Sequence, residues 1–135
     1  MEIKEAINLE ISCANDVYNI FNYLNKEEQE LFLTISLNTK NKIINTHITA
    51  IGTLDNAIVH SRDIFREAIR NNANGIILVH NHPSGDCNPS KEDIEVTERL
   101  EEIGEMLNIK ILDHIIIGKE KLWSWREKEK LLSCI

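Results

Sequence analysis

Gly75-Ile76-Ile77-Leu78-Val79-His80-Asn81-His82-Pro83-Ser84-Gly85-Asp86-Cys87-Asn88-Pro89-Ser90-Lys91-Glu92-Asp93 runs from an apolar strand through a breaker-rich loop into the first turn of a helix. Gly75 to Val79 is a continuous apolar run, the pattern of a strand covered on both faces. His80 and His82 sit at its end. Side chains two apart on an extended chain project to the same side, about 6.6 Å apart at a rise of roughly 3.3 Å per residue, so two imidazoles can converge on one point. After Pro83, Gly85 and Pro89, Ser90 opens a segment with Ile94, Leu100, Ile103 and Leu107 spaced among charges, which predicts an amphipathic helix to about Asn108. With Ser90 as N-cap, Asp93 is the third helical residue. Because Cβ bonds tilt toward a helix N-terminus, its carboxylate leans back toward the histidines.

Ser-x-x-Asp ahead of a helix is also a capping box, in which both side chains serve only the free backbone amides. The fuller pattern His-x-His, seven residues, Ser, two residues, Asp points instead to a metal site at His80, His82 and Asp93. Two imidazoles and a carboxylate suit zinc, and three protein ligands with a fourth place for water is the catalytic rather than the structural arrangement. Such a site needs a general base. Glu30, immediately ahead of the apolar run Leu31 to Leu37, is the candidate, picked by position alone from 22 acidic residues.

The rest of the chain alternates helices and strands. Asn15 is the expected N-cap of a first helix carrying Val17, Ile20, Phe21 and Leu24. Leu31 to Leu37 and Lys42 to Ala50, joined by Asn38-Thr39-Lys40-Asn41, predict an antiparallel hairpin. Ser61 is the expected cap of a helix to about Asn71, Ile109 to Ile117 a further strand, and Leu122 to Trp125 an edge strand followed by a charged tail with an apolar Leu131-Leu132 patch. His47 and His60 have the pattern of surface or turn residues. His114, after Asp113, is either a hydrogen-bonded structural residue or a group that orients a metal ligand. Trp123 and Trp125 share one side of their strand, as core, interface or a peptide-binding edge. The element order gives an α/β sandwich with a mixed sheet.

These residues resemble the RadC-like branch of the JAMM (MPN-plus) metalloproteases, whose motif is Glu, then His-x-His-x7-Ser-x2-Asp, matched here by Glu30, His80, His82, Ser90 and Asp93. The likeness extends to Gly52-Thr53-Leu54, Arg62 to Phe65, His80 to Asp86 and Leu112 to Gly118, and covers about Asp16 to Ser124. It departs at Cys87 and Ser61, where relatives usually carry proline, and at Asn38, where aspartate is common. The resemblance implies an α/β/α sandwich of JAB/MPN type, similar to cytidine deaminases, with one zinc per chain on His80, His82 and Asp93. It further implies Glu30 as acid and base, and Ser90 as hydrogen-bond donor to the tetrahedral oxyanion.

Composition bounds the function. At 135 residues, 42% hydrophobic and 27% charged, residues 1–135 suit a single domain. Cys13, Cys87 and Cys134 lack a Cys-x-x-Cys spacing and are odd in number, so neither a disulfide framework nor a zinc ribbon is indicated and a reducing cytoplasm fits; Cys87 alone lies in the candidate metal loop. No apolar run reaches the 18 or so residues of a membrane helix. The expected partner is an extended peptide or an isopeptide-linked protein. A DNA-associated RadC-type role is the first alternative, but a net charge of −7 opposes broad duplex binding, and the short stretch before the first helix leaves no room for a helix-hairpin-helix element. A catalytically idle metal-binding scaffold is the other.

Overall fold

Six strands form one sheet in the order β2-β1-β3-β4-β5-β6. The structure is a computed structural model that describes residues 6–52 and 59–131. Helix α1 spans Ala14–Phe21 and continues as a 3-10 turn, Asn22–Lys26; β1 is Leu31–Leu37, β2 Ile43–Ile51, α2 Ser61–Arg70, β3 Gly75–Asn81, α3 Lys91–Leu107, β4 Lys110–Ile117, β5 Lys121–Ser124 and β6 Lys128–Leu131. Only β3 and β4 pair in parallel, with α3 as the crossover between them; every other neighbour pair is antiparallel, so the sheet is mixed as expected.

Alternation along the central strands sorts their side chains into two cores. Leu33, Ile35, Leu37, Ile77, Val79, Ile115 and Ile117 pack under α1 with Val17, Tyr18 and Phe21. Phe32, Ile76, Leu78 and Ile111 face the other way and pack under α2 and α3 with Ile64, Phe65, Val96 and Leu100. Helices on both faces explain why β3 is apolar without a break from Gly75 to Val79: all seven residues of the strand, His80 and Asn81 included, are buried. The result is the α/β/α sandwich that the sequence led us to expect.

Three expectations at element ends are corrected. α1 is capped by Cys13, not Asn15, because the Asp16 carboxylate accepts from the backbone N–H of both Ser12 (2.7 Å) and Cys13 (3.3 Å), which fixes Asp16 as the third helical residue. Ser61 is the first residue of α2 and His60 its N-cap, since the His60 carbonyl already accepts from Asp63 and Ile64. The strand around Trp123 is interior rather than an edge. It pairs with β4 on one side and on the other with β6, whose alternating charges look like a solvated tail in sequence. Thr53, Leu54, Leu132 and Cys134 lie outside the described residues.

Candidate metal centre

The parallel strands β3 and β4 deliver one face of the site, and the N-terminus of α3 delivers the other. β1 pairs with β3 up to Phe32 opposite His80, so the last ladder step holds His80 in the sheet while His82 lies just beyond it. The His82 backbone N–H still bonds the Ile117 carbonyl, at 3.1 Å, which fixes the second histidine against the end of β4. Pro83, Ser84 and Gly85 then turn the chain, closed by the Gly85 N–H to the His82 carbonyl at 2.9 Å, with Gly85 at a φ of +88° that an L side chain rarely adopts.

His80 Nε2, His82 Nε2 and the two Asp93 carboxylate oxygens converge. His80 Nε2 is 3.3 Å from Asp93 Oδ1, His82 Nε2 is 3.2 Å from Asp93 Oδ2, and the two Nε2 atoms are 3.1 Å apart. Among the described residues these three are the group of His, Cys, Asp or Glu side chains so placed that they could hold a metal ion. His80 and Asp93 are buried and His82 is partly so. The helix-cap and ligand readings of Asp93 prove to be compatible: Ser90 Oγ accepts from the Asp93 N–H at 3.0 Å and Asp93 Oδ2 from the Ser90 N–H at 2.7 Å, so the capping box holds the carboxylate that faces the imidazoles.

The electrostatics fit a cation at this point. Burial alone would push the Asp93 carboxyl up, but the imidazoles of His80 and His82 that face it outweigh this and hold the group well below the usual carboxylate range. Burial would push His82 down. The hydrogen bond to Asp93, the Asp86 carbonyl and the charges of Asp93 and Glu30 overcome that and raise it. The negative charge of Asp93 thus draws a positive charge into the cluster, a proton or a metal ion. His82 Nδ1 lies 2.8 Å from the Asp86 carbonyl, which can only accept, so the ring carries its proton on Nδ1 and turns Nε2 toward Asp93.

Behind the cluster His114 is fully buried, with Nε2 at 2.8 Å from His80 Nδ1 and Nδ1 against Thr97 Oγ1. Its burial, then the neighbouring charge of His80, hold it well below the ordinary histidine value. Phe32 lies over His80 and edge-on to His114, with ring centroids at 5.8 Å in both cases, and Trp123 covers His114 from the far side at 6.3 Å. Asp113, next in sequence, turns away to Ser124 Oγ (2.7 Å) and the backbone of His114 and Arg126, so of the Asp113-His114 pair only the histidine approaches His80. Cys87 is buried against Ile116 and Trp123, where it acts as a small apolar side chain. Trp123 belongs to the same cluster, the core reading of the tryptophan pair.

The backbone around Glu30 is fixed by an asparagine that the motif passes over. Asn81, between the two histidines and wholly buried, accepts from the Leu31 N–H at 2.7 Å and donates to the Gln29 carbonyl at 3.0 Å, clamping the backbone on both sides of Glu30. The Glu30 carbonyl accepts from Gly52 at 2.8 Å. Two residues that position this site were therefore missing from the sequence reading, Asn81 and Thr97. A signal existed for each: an amide just after the apolar run Gly75 to Val79 is buried with it and needs partners, and Thr97 is four residues after Asp93, on the same face of α3.

The metal loop leans on β4. A Cβ built on Gly118 would lie 2.4 Å from the Gly85 carbonyl oxygen and 3.2 Å from Cys87 Cβ. Gly118→Ala is expected to cost about 1–3 kcal/mol, as overpacking does, and to weaken metal binding by moving Asp86 off His82. Thermal unfolding with and without added zinc reads both effects; an unchanged midpoint in both would show that the loop yields freely.

Residues 11–131 match the family model described as a RadC-like JAB domain. The chain is 54% identical over 100 residues to a UPF0758 protein of Bacillus licheniformis, covering 74% of this chain and 45% of that protein. It is 49% identical over 125 residues to a UPF0758 protein of Caldanaerobacter subterraneus subsp. tengcongensis, covering 90% of this chain and 52% of the relative. A UPF0758 protein of Staphylococcus haemolyticus is 48% identical over 121 residues, 89% of this chain and 53% of that one. The chain thus spans about half the length of the curated relatives it matches. Among the described residues no helix is long and apolar enough to cross a membrane. With the family model covering nearly all of a mixed-sheet sandwich that carries His80, His82 and Asp93 at one sheet end, the chain belongs to the RadC-like JAB domain family.

Proposed function

We propose that this chain is a zinc-dependent hydrolase, a metallopeptidase or isopeptidase that cleaves an amide bond in an extended chain. The observation that carries the reading is the convergence of the donor atoms: the two imidazole Nε2 atoms are 3.1 Å apart, and they lie 3.3 Å (His80) from Asp93 Oδ1 and 3.2 Å (His82) from Asp93 Oδ2. Ligands about 2.0–2.1 Å from one ion in a tetrahedron are about 3.3–3.4 Å apart. Two nitrogens and a carboxylate are a donor set that suits zinc, and three protein ligands leave one position open. Zinc held there supplies Lewis acidity and lowers the pKa of bound water from 15.7 to about 7.

The chain's own residues do the rest. Glu30, whose charge reaches His82, takes the proton of the attacking water and returns it to the leaving amine. Ser90 Oγ uses a lone pair for the Asp93 N–H, which leaves its O–H proton to donate to the oxyanion of the tetrahedral intermediate. Phe32, over His80, keeps water from the buried side of the rings. At the mouth, Ile51 on the edge strand β2 is 57% exposed opposite Leu31, beside Glu30, and offers an apolar contact to an extended substrate. A cytoplasmic location belongs to the same reading and rests on the thiols Cys13 and Cys87.

Protein purified without added metal is expected to contain close to one zinc per chain by elemental analysis. His80→Ala and His82→Ala should contain almost none. Stripping the wild type with a chelator should abolish cleavage of a pooled peptide library that includes lysine-branched isopeptides, and zinc should restore it. Metal retained by both variants, or cleavage indifferent to chelation, would refute the proposal.

A further inference from the structure

We infer that Thr97 and His114 are positioning residues that dictate which nitrogen of His80 carries its proton, and so set the affinity of the metal centre. The inference rests on the reading of His80, His82 and Asp93 as ligands.

The directions follow from one fixed end. Thr97 Oγ1 is 2.8 Å from the Asp93 backbone carbonyl, which can only accept, so the threonine spends its single hydroxyl proton there. What Oγ1 then has for His114 is a lone pair, and His114 Nδ1 must be the donor in their contact. A ring this buried, between Phe32 and Trp123, is neutral and has one N–H, so His114 Nε2 is a bare acceptor. His80 Nδ1, 2.8 Å away, must donate to it. His80 Nε2 is left with its lone pair turned toward His82 and Asp93. The polarity of a backbone carbonyl on one ligand is thereby passed, through two side chains, to the ring of another ligand.

Burial makes the chain of bonds effective. Thr97 and His114 are 0% exposed, His80 1% and Asp93 2%, which leaves no water to replace a missing member. His82 differs: its Nδ1 is fixed directly by the Asp86 carbonyl in the loop, with no side chain between. Removing the Thr97 hydroxyl leaves the His114 Nδ1 proton without an acceptor. The ring then favours the other tautomer, donates from Nε2 to His80 Nδ1, and forces the His80 proton onto Nε2, where the metal must bind.

The test uses zinc alone. In competition with a chromophoric chelator, Thr97→Val, which keeps the side-chain shape, is expected to bind zinc about 10–100-fold more weakly than the wild type, the range for lost outer partners of ligating histidines. Thr97→Ser should stay within about threefold, since it restores the same hydroxyl. Long-range proton–nitrogen NMR of the imidazoles in zinc-free protein provides the second readout: protons on Nδ1 of His80 and His114 in the wild type, and on Nε2 of both in Thr97→Val. Wild-type protein with the His114 proton on Nε2 overturns the inference without any variant having to fold. So does Thr97→Val with wild-type affinity. Wild-type tautomers as stated in a protein that binds no zinc would instead refute the ligand reading and leave the hydrogen-bond chain standing.

Discussion

Glu30→Gln is expected to lower amide hydrolysis by about 10²–10⁴-fold, the contribution of a well-placed general acid–base group, while zinc content stays at the wild-type level. Glutamine matches glutamate in shape and can still orient a water molecule, but its amide cannot take the proton. The separation of the two readouts follows from the architecture. Glu30 comes from the residues just before β1 and is held by Asn81 and Gly52, whereas the three ligand side chains come from β3, the loop after it and α3. Steady-state rates with metal analysis on the same samples decide the matter: activity within a few-fold of the wild type would remove Glu30 from its role, and loss of zinc would make it a ligand or a structural support instead.

The legibility of this site in sequence differs from residue to residue for physical reasons. His80 and His82 were readable because strand periodicity puts side chains two apart on one face, and Gly75 to Val79 is apolar enough to declare a buried strand. Asp93 was readable because helix geometry fixes where the third residue points. Leu31–Leu37 is the strand that its apolar run and the turn residues after it predict. Spacing alone does not distinguish Glu30 among 22 acidic residues, and it is the family resemblance that singles it out; what fixes its backbone is a pair of hydrogen bonds linking its neighbours Leu31 and Gln29 to Asn81, 50 and 52 residues away from them in sequence. His114 stood between two readings for the same reason: its partner His80 is 34 positions earlier, and strand pairing brings them together. β6 was missed because a strand of alternating charge is stabilised by the pairing offered by β5, which no property of its own residues announces. Local rules recovered what local geometry determines, and contacts between distant segments supplied the remainder.

Asp93→Asn and Asp93→Ala should both lose zinc, by more than the 10–100-fold that outer partners of a ligand are worth, yet they should part company in stability. The carboxylate does two jobs. Oδ2 accepts from the Ser90 N–H as a helix cap, and the same group faces His80 and His82 as the negative member of the cluster. Asparagine keeps an acceptor for Ser90 and offers its NH₂ to an imidazole, so zinc-free Asp93→Asn should keep more stability than Asp93→Ala, while falling below zinc-free wild type at neutral pH for want of the carboxylate charge. Alanine loses the cap, worth about 0.5–2 kcal/mol, and leaves the imidazoles without their partner. Acid separates the wild type from the asparagine variant. The Asp93 carboxyl lies below its ordinary value of 3.8 in the folded state, so its stabilisation is complete above that value and is lost as pH falls through and beneath it. Asparagine has no such proton to take up, and the difference in midpoint between the two should narrow or reverse below about pH 4. Excess zinc should raise the midpoint of the wild type alone, by mass action on the folded state. If Asp93→Asn bound zinc as tightly as the wild type, the carboxylate would be a helix cap and nothing more, and the metal centre would have to be sought among other residues.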